Sequence, residues 1–234
     1  MWGPGDKMHV IAVASQKGGA GKSTLALNLA VKADAEAKPA LLIDTDPQAS
    51  LAVWQRARVE ATPIVVPCRP GELDDVLEAA RRDGRIEWAF IDAPPQNNED
   101  VAAMMAAATL VLIPVRASVF DLASIQPTIE LARSLRRPFF VVLNAVPPRR
   151  GVAEAAPVAE ARRAIAAMGA PVWRQAIGQR SAFVQALTTG RGVSEVEPAG
   201  PAAKEIANLW GVISQAARAM AGRQDHRRNG TSAA

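Results

Sequence analysis

Tyrosine is absent from the 234 residues, cysteine occurs once, and aromatic residues make up 4% of the chain. The single cysteine, Cys68, excludes a disulfide within the chain and a metal site built from several cysteines. It reads as a small buried apolar residue near a strand end and points to a reducing, cytoplasmic setting. No apolar run reaches the roughly 18 residues that a membrane-crossing helix needs. The opening stretch, 1–7, has no apolar core and does not read as a secretory signal; it is expected to be a short disordered lead.

The chain is instead 49% hydrophobic and 21% charged, which fits one well-cored α/β domain, placed here at 8–221. Abundant alanine favours helices packed closely on a sheet. The net charge of +4 is uneven: residues 149–234 carry 12 Lys+Arg against 6 Asp+Glu, and residues 1–148 carry 15 against 17. A basic C-terminal third points to a polyanionic partner, nucleic acid or lipid headgroups. A solvated arginine-rich surface explains it equally well. The polar stretch 222–234 is expected to be a disordered tail.

Apolar strand-like runs recur at Val10–Ala14, Ala40–Ile43, Ile64–Val66, Trp88–Ile91, Leu110–Val115 and Phe139–Leu143, with a short seventh at Val172–Trp173. Most are continuous rather than alternating, as for strands covered on both faces. Helical patterns lie between and after them, at 22–36, 48–58, 71–83, 99–107, 121–135, 153–168, 181–188 and 202–221. The alternation predicts a doubly wound, mostly parallel sheet of about seven strands with helices on both faces. In such a sheet the ligand lies beyond the carboxyl ends of the strands.

Chemistry-bearing residues stand at those ends. The first strand runs into Ser15-Gln16-Lys17-Gly18-Gly19-Ala20-Gly21-Lys22-Ser23-Thr24 and then a helical pattern. Three glycines permit positive φ, so successive backbone N–H groups can turn inward and form an anion-binding nest. The helix N-terminus favours anions at the same place. Lys22 supplies a point charge for the β- and γ-phosphates, and Ser23 a hydroxyl for Mg²⁺. The common G-x-x-x-x-G-K-[ST] pattern needs a glycine where Gln16 stands; a second lysine, Lys17, follows it.

This loop resembles the deviant Walker A motif of the ParA/MinD family of P-loop ATPases. The resemblance implies that Gly18, Gly19, Ala20, Gly21, Lys22, Ser23 and Thr24 bind the phosphates of ATP. It also implies that Lys17 reaches across a homodimer interface into the partner's site. Leu41-Leu42-Ile43-Asp44-Thr45-Asp46-Pro47-Gln48 places two carboxylates on one side of an extended chain and resembles the family's D-x-D-P-Q segment. Asp44 is then expected at the Mg²⁺ water shell and Asp46 at the attacking water. A helix cap at Asp46 is the simpler alternative. Trp88-Ala89-Phe90-Ile91-Asp92-Ala93-Pro94-Pro95 has the apolar-strand-then-aspartate form of Walker B, with Asp92 toward Mg²⁺. Asn144, ending the sixth run, matches an asparagine that contacts adenine in the family; asparagine is also a common turn residue. The stretch Ile113 to Leu122 resembles a segment of the family's dimer interface, and a plain loop capped by Asp121 is the alternative.

The likeness covers nearly the whole chain, being specific over 15–24, 44–48 and 92–95 and looser after 144. It implies a slow, partner-stimulated ATPase whose ATP-bound dimer holds non-specific double-stranded DNA and is released by an adaptor or centromere-binding protein. Plasmid, chromosome or large protein cargo would be segregated on the nucleoid. Arg180, Arg191 and Arg218 are the candidate DNA contacts. The other reading is a MinD-like ATPase at a membrane surface. However, the stripe Ile206, Leu209, Trp210, Ile213, Ala217 and Met220 reads as a core-docking helix face, so a membrane partner is not expected. Relatives that bridge an iron–sulfur cluster need two cysteines per chain, and the tyrosine kinases of similar fold need a tyrosine cluster; this chain has neither.

Overall fold

The computed structural model describes residues 8–36, 39–46, 50–69, 71–95, 99–148 and 154–230. The strands are β1 His9–Val13, β2 Leu41–Asp44, β3 Ile64–Pro67, β4 Trp88–Asp92, β5 Leu110–Val115 and β6 Phe139–Leu143. The helices are α1 Lys22–Asp34, α2 Ser50–Ala57, α3 Leu73–Asp83, α4 Glu99–Ala107, α5 Val119–Ser124, α6 Gln126–Ser134, α7 Ala156–Ala167, α8 Ser181–Thr188, α9 Val193–Val196 and α10 Pro201–Gly230. All strand pairs are parallel, in the order β3-β2-β4-β1-β5-β6.

The strands are apolar throughout because both faces are covered. Ile11, Val13, Leu42, Trp88, Phe90 and Leu112 pack with α1, α2, α8, α9 and α10. Their neighbours Val10, Ala12, Ile43, Ala89, Ile91 and Val111 pack with α3, α4, α5, α6 and α7. Alternate side chains point to opposite faces of a strand, so one run of apolar residues serves two cores. Aromatics are few but concentrated: all four tryptophans among the described residues lie in the first core. Trp88 stands edge-on to Trp210 with ring centroids 4.5 Å apart, and the Trp210 indole N–H donates to Glu36 at 2.6 Å. The stripe on α10 is consumed here, with Ile206, Leu209, Trp210, Ile213 and Ala217 all buried.

Three expectations are corrected. Among the described residues the sheet has six strands, not about seven. Around Val172 and Trp173 only isolated bridges form among the described residues, Val141 with Val172 and Val146 with Gly178. Pro171 has no N–H to donate, and the Arg162 guanidinium takes the carbonyls of Trp173 and Gln175 at 2.7 and 3.0 Å. The helix expected over 121–135 is two helices, because Pro127 stands in the first turn of α6 and cannot extend the hydrogen-bond ladder of α5. The last helix continues to Gly230 rather than ending at 221; no proline or glycine interrupts it between Gly222 and Gly230, so polarity alone misled. The lead 1–7 and residues 231–234 lie outside the described residues, as do Pro47 and Gln48.

The far end of α2 is fastened to the turn before α9. The Arg58 side chain, only 4% exposed, donates to both carboxylate oxygens of Glu195, at 3.1 and 3.0 Å, and to the Gly190 carbonyl at 2.9 Å. Trp54 donates its indole N–H to the Arg191 carbonyl at 3.1 Å. A Cβ on Gly190 would lie 2.2 Å from the Arg58 backbone nitrogen, so only glycine allows this approach. Breaking a buried pair strands the surviving charge. Arg58→Ala is therefore expected to destabilise the domain by about 3 kcal/mol, seen as a lower urea midpoint at unchanged slope. Arg58→Lys should recover little of it, since lysine cannot reproduce the fork.

Candidate active site

The loop after β1 leaves the sheet between two neighbours: Ala14 donates its N–H to Leu112, and Ala93 donates to Val13. Gly19 and Gly21 have φ of 74° and 90°, values that side-chain-bearing residues rarely adopt. Gly21 is the N-cap of α1, and the first turn of that helix contains no acidic residue. Its positive end is left without an internal counter-charge, the condition for holding an anion. Lys22 lies back over the loop, 3.4 Å from the Lys17 carbonyl. It is buried, and burial pushes its ammonium pKa down while Asp92 and Asp46 oppose the shift. The buried Ser15 hydroxyl has no hydrogen-bond partner among the described residues.

Register puts the carboxylates beside that loop. Asp44 of β2 is opposite Asp92 of β4, and Asp92 is opposite Val13 of β1. Burial raises the Asp44 pKa and the Asp46 charge adds to it, while the N–H groups of Asp46, Leu51 and Ala52 favour the ionised form. Asp46, two residues on, donates its N–H to Asp44 at 3.2 Å. The Leu51 and Ala52 amides of the first turn of α2 thus favour the Asp44 carboxylate.

Asp92 is fully buried, and neither of its carboxylate oxygens has a hydrogen-bond partner among the described residues. Burial, with the Asp44 charge, pushes its pKa up to about 7, against the pull of Ser23 and Lys22. Burying a carboxylate that Ser23 and Lys22 only partly offset is costly, and a divalent cation would offset more of that cost. The residues present fit Mg²⁺: Ser23 offers a hydroxyl, and Asp44 and Asp92 offer oxygens. Among the described residues no group of three or more His, Cys, Asp or Glu forms a metal cluster. Mg²⁺ held by one or two carboxylates, waters and substrate phosphates does not require one.

Lys17 behaves differently from Lys22. Its side chain is 45% exposed and pairs with Asp121 at 3.1 Å. Asp121 is also gripped by Ser118, whose hydroxyl donates to its carboxylate at 2.7 Å and accepts its backbone N–H at 3.2 Å. Ser118, not Asp121, is the cap of α5. Partial burial pushes the Asp121 pKa up, but Ser118 and Lys17 together hold it below the usual carboxylate range. The partnership of Lys17 with Asp121 was not read from the sequence. Its signal is the Ser118-x-x-Asp121 spacing, a capping-box pattern that aims an acid back over the loop.

Asn144 is buried at the end of β6, and its amide nitrogen donates to the Ala20 carbonyl at 2.7 Å. Beyond it a cavity of about 660 Å³ is lined by Val146, Pro147, Pro148, Gly178, Arg180 and Glu205, among others. The three candidate DNA contacts sit in different local surroundings. Arg180 is in the cavity wall, bound to Glu205 at 2.5 Å. Arg218 pairs with Glu87 at 3.1 Å and lies over the Trp88 ring. Arg191 is exposed. The acidic partners of Arg180 and Arg218 lie 25 and 131 positions away in the chain, too far for local spacing to reveal.

The Asp92 environment gives a pH test. A folded pKa near 7 against an unfolded value near 4 means the folded state binds the extra proton between these limits. The stability that goes with it is present below about pH 4 and is lost as pH rises through 7. Asp92→Asn removes the charge. In ligand-free protein it is expected to stabilise by about 2–4 kcal/mol at pH 8 and by much less at pH 5, with Mg²⁺-dependent nucleotide binding lost. Thermal unfolding at both pH values measures the first, and titration with and without Mg²⁺ the second.

A protein-family model, the CobQ/CobB/MinD/ParA nucleotide binding domain, matches residues 11–193. The chain is similar to the maintenance of carboxysome distribution protein A of Halothiobacillus neapolitanus, with 27% identity over 87% of this chain and 94% of that protein. It is 30% identical to the protein of the same name from Gloeobacter kilaueensis, over 79% of this chain and 83% of that one. The chromosome partitioning protein ParA of Caulobacter vibrioides is 29% identical over 56% of this chain and 66% of its own length. Among solved structures, an ATP complex of a Cyanothece McdA variant superposes with a TM-score of 0.72 at 22% identity, covering 91% of this chain and 97% of that one. MinD complexed with Mg-ADP from Pyrococcus horikoshii gives 0.71 at 16%, over 91% and 98%. These two likenesses show the fold. The family match begins in β1, takes in the glycine loop and both strand-end aspartates, and ends at the first residue of α9: the chain belongs to the CobQ/CobB/MinD/ParA nucleotide-binding domain family.

Proposed function

We propose that this chain is a positioning ATPase. Two copies close around ATP and Mg²⁺, and the closed dimer holds double-stranded DNA without sequence preference. An adaptor or centromere-binding partner then triggers hydrolysis and release. The observation that carries this reading is that one loop holds two lysines in opposite environments. Lys22 is buried beside Asp92, and Lys17 is half exposed on Asp121. A stand-alone hydrolase needs the first; the second is placed where another copy can meet it.

In this reading the amides of Gly18 to Thr24 and the Lys22 ammonium bind the phosphates. Ser23, Asp44 and Asp92 hold Mg²⁺, which supplies positive charge to the phosphate oxygens. Asp46, at the open end of β2, orients the attacking water. Asn144 and the cavity beyond it take the adenine. Lys17 leaves Asp121 for the partner's γ-phosphate, so the ATP-bound dimer gains a contact that the single chain lacks. Such a site works by positioning and charge stabilisation, and its product is a change of assembly state.

The names of the relatives support a cargo that is distributed or partitioned within the cell. The carboxysome distribution proteins are matched over 94% and 83% of their lengths and ParA over 66%, which favours a large protein assembly over a chromosome. Arg191 and Arg218, both exposed, are the basic residues through which DNA contact is expected. The membrane-surface alternative draws no support from α10, whose apolar stripe is spent in the core.

The reading is tested by duplex DNA binding with ATP, with ADP and without nucleotide, at two salt concentrations. Binding should require ATP and fall steeply with salt; equal binding in all three states would sink the switch. Lys22→Ala should weaken ATP binding roughly 10- to 100-fold, the loss of one charge-assisted contact. Lys17→Ala should leave ATP binding by the single chain near wild type and abolish ATP-dependent dimerisation, read by light scattering.

A further inference from the structure

We infer that Asn144 is a positioning residue for the phosphate-binding loop. Its side-chain amide holds the Ala20 carbonyl and so sets the glycine turn before a base arrives. This rests on the nucleotide-site reading above but on an observation that reading does not use.

The geometry is one-sided. Only the NH₂ end of the amide can face a carbonyl, and the 2.7 Å contact with Ala20 is buried. Asn144 is itself held from behind, its backbone N–H donating to Val115 of β5 at 2.8 Å. The next residue, Ala145, has φ of 50° without being glycine, and Val146 is fastened at once to Ile177 at 3.0 Å. An unfavourable backbone state kept in place by flanking hydrogen bonds marks an imposed direction of the chain. Here it turns the strand end just after Asn144.

On the loop side, Gly21 is shaped by the same contact. A Cβ there would stand 2.2 Å from the Asn144 amide nitrogen, so the left-handed φ favours glycine and a side chain at this position would displace the Asn144 amide. The peptide joining Ala20 to Gly21 is planar, and its C=O and N–H point in opposite directions. Holding the Ala20 carbonyl on Asn144 therefore fixes where the Gly21 N–H points, one of the donors available to an anion. The amide oxygen and the second amide proton remain for a base. A residue that only reads the base would matter to nucleotides alone. A residue that holds the loop matters equally to a ligand with phosphates and no base.

The experiment compares ADP with inorganic tripolyphosphate, each with Mg²⁺, by titration calorimetry on wild type and Asn144→Leu. This substitution keeps the branched shape, cannot donate and adds no charge beside the phosphates. Both ligands should weaken about tenfold, the effect of losing one buried hydrogen bond. Weakening of ADP alone, or of neither, overturns the inference. So does a wild type that binds ADP but no tripolyphosphate, because a preset loop must grip phosphates unaided. Wild type binding neither ligand would instead sink the nucleotide-site reading. Should the variant lack a thermal transition, amide exchange in ligand-free wild type serves: one Asn144 side-chain proton should be protected, and free exchange of both overturns the inference.

Discussion

The register of β2, β4 and β1 is the constraint on which the site depends. Asp44 opposite Asp92, and Asp92 opposite Val13, bring two carboxylates and the start of the glycine loop to one level of the sheet. A slip of one residue would turn every side chain of a strand to the other face. Here that would place both aspartates in an apolar layer. Because each strand is apolar on both sides, hydrophobic burial alone specifies this register weakly. The ends do the specifying: aspartate is tolerated only where the strand leaves the core, near Lys22 and the α1 N-terminus.

The α1 helix links this local chemistry to overall stability. It is buried nearly all round, and its Asn28 accepts the Val193 N–H while donating to Thr24. The element whose N-terminus faces the phosphate site is therefore also the one around which α2, α9, α10 and the sheet are assembled. Its burial on nearly all sides holds it fast, whereas Lys17, before the helix, is half exposed on Asp121.

Much of this was legible in the sequence. Continuous apolar runs gave the strands within a residue or two, since strands covered on both faces leave no other composition. The loop 15–24 and the strand-end Asp44 and Asp92 stood out because glycine, lysine and aspartate at strand ends have few other uses. What stayed hidden was contact between distant segments. Nothing near Lys17 announces Asp121, nor does anything near Arg180 announce Glu205. Asn144 was readable as a base contact, yet its bond to Ala20 spans 124 positions and exists only because β6 lies beside β5. The seventh strand failed for a similar reason: Arg162, on α7, claims the carbonyls that a strand partner would have used.

The buried Asp92 carboxylate has a consequence for the life of the protein. A site that carries a buried acid whose pKa is pushed up to about 7 and an open helix end is at its least favourable when empty. Any ligand that binds only the folded state adds RT ln(1 + [L]/Kd) to stability, about 2.7 kcal/mol at a hundredfold excess over Kd. For a marginally stable domain that is a large share of the total. Nucleotide then acts as a folding partner as well as a substrate, and the survival of the chain against proteolysis becomes a record of how often its site is filled.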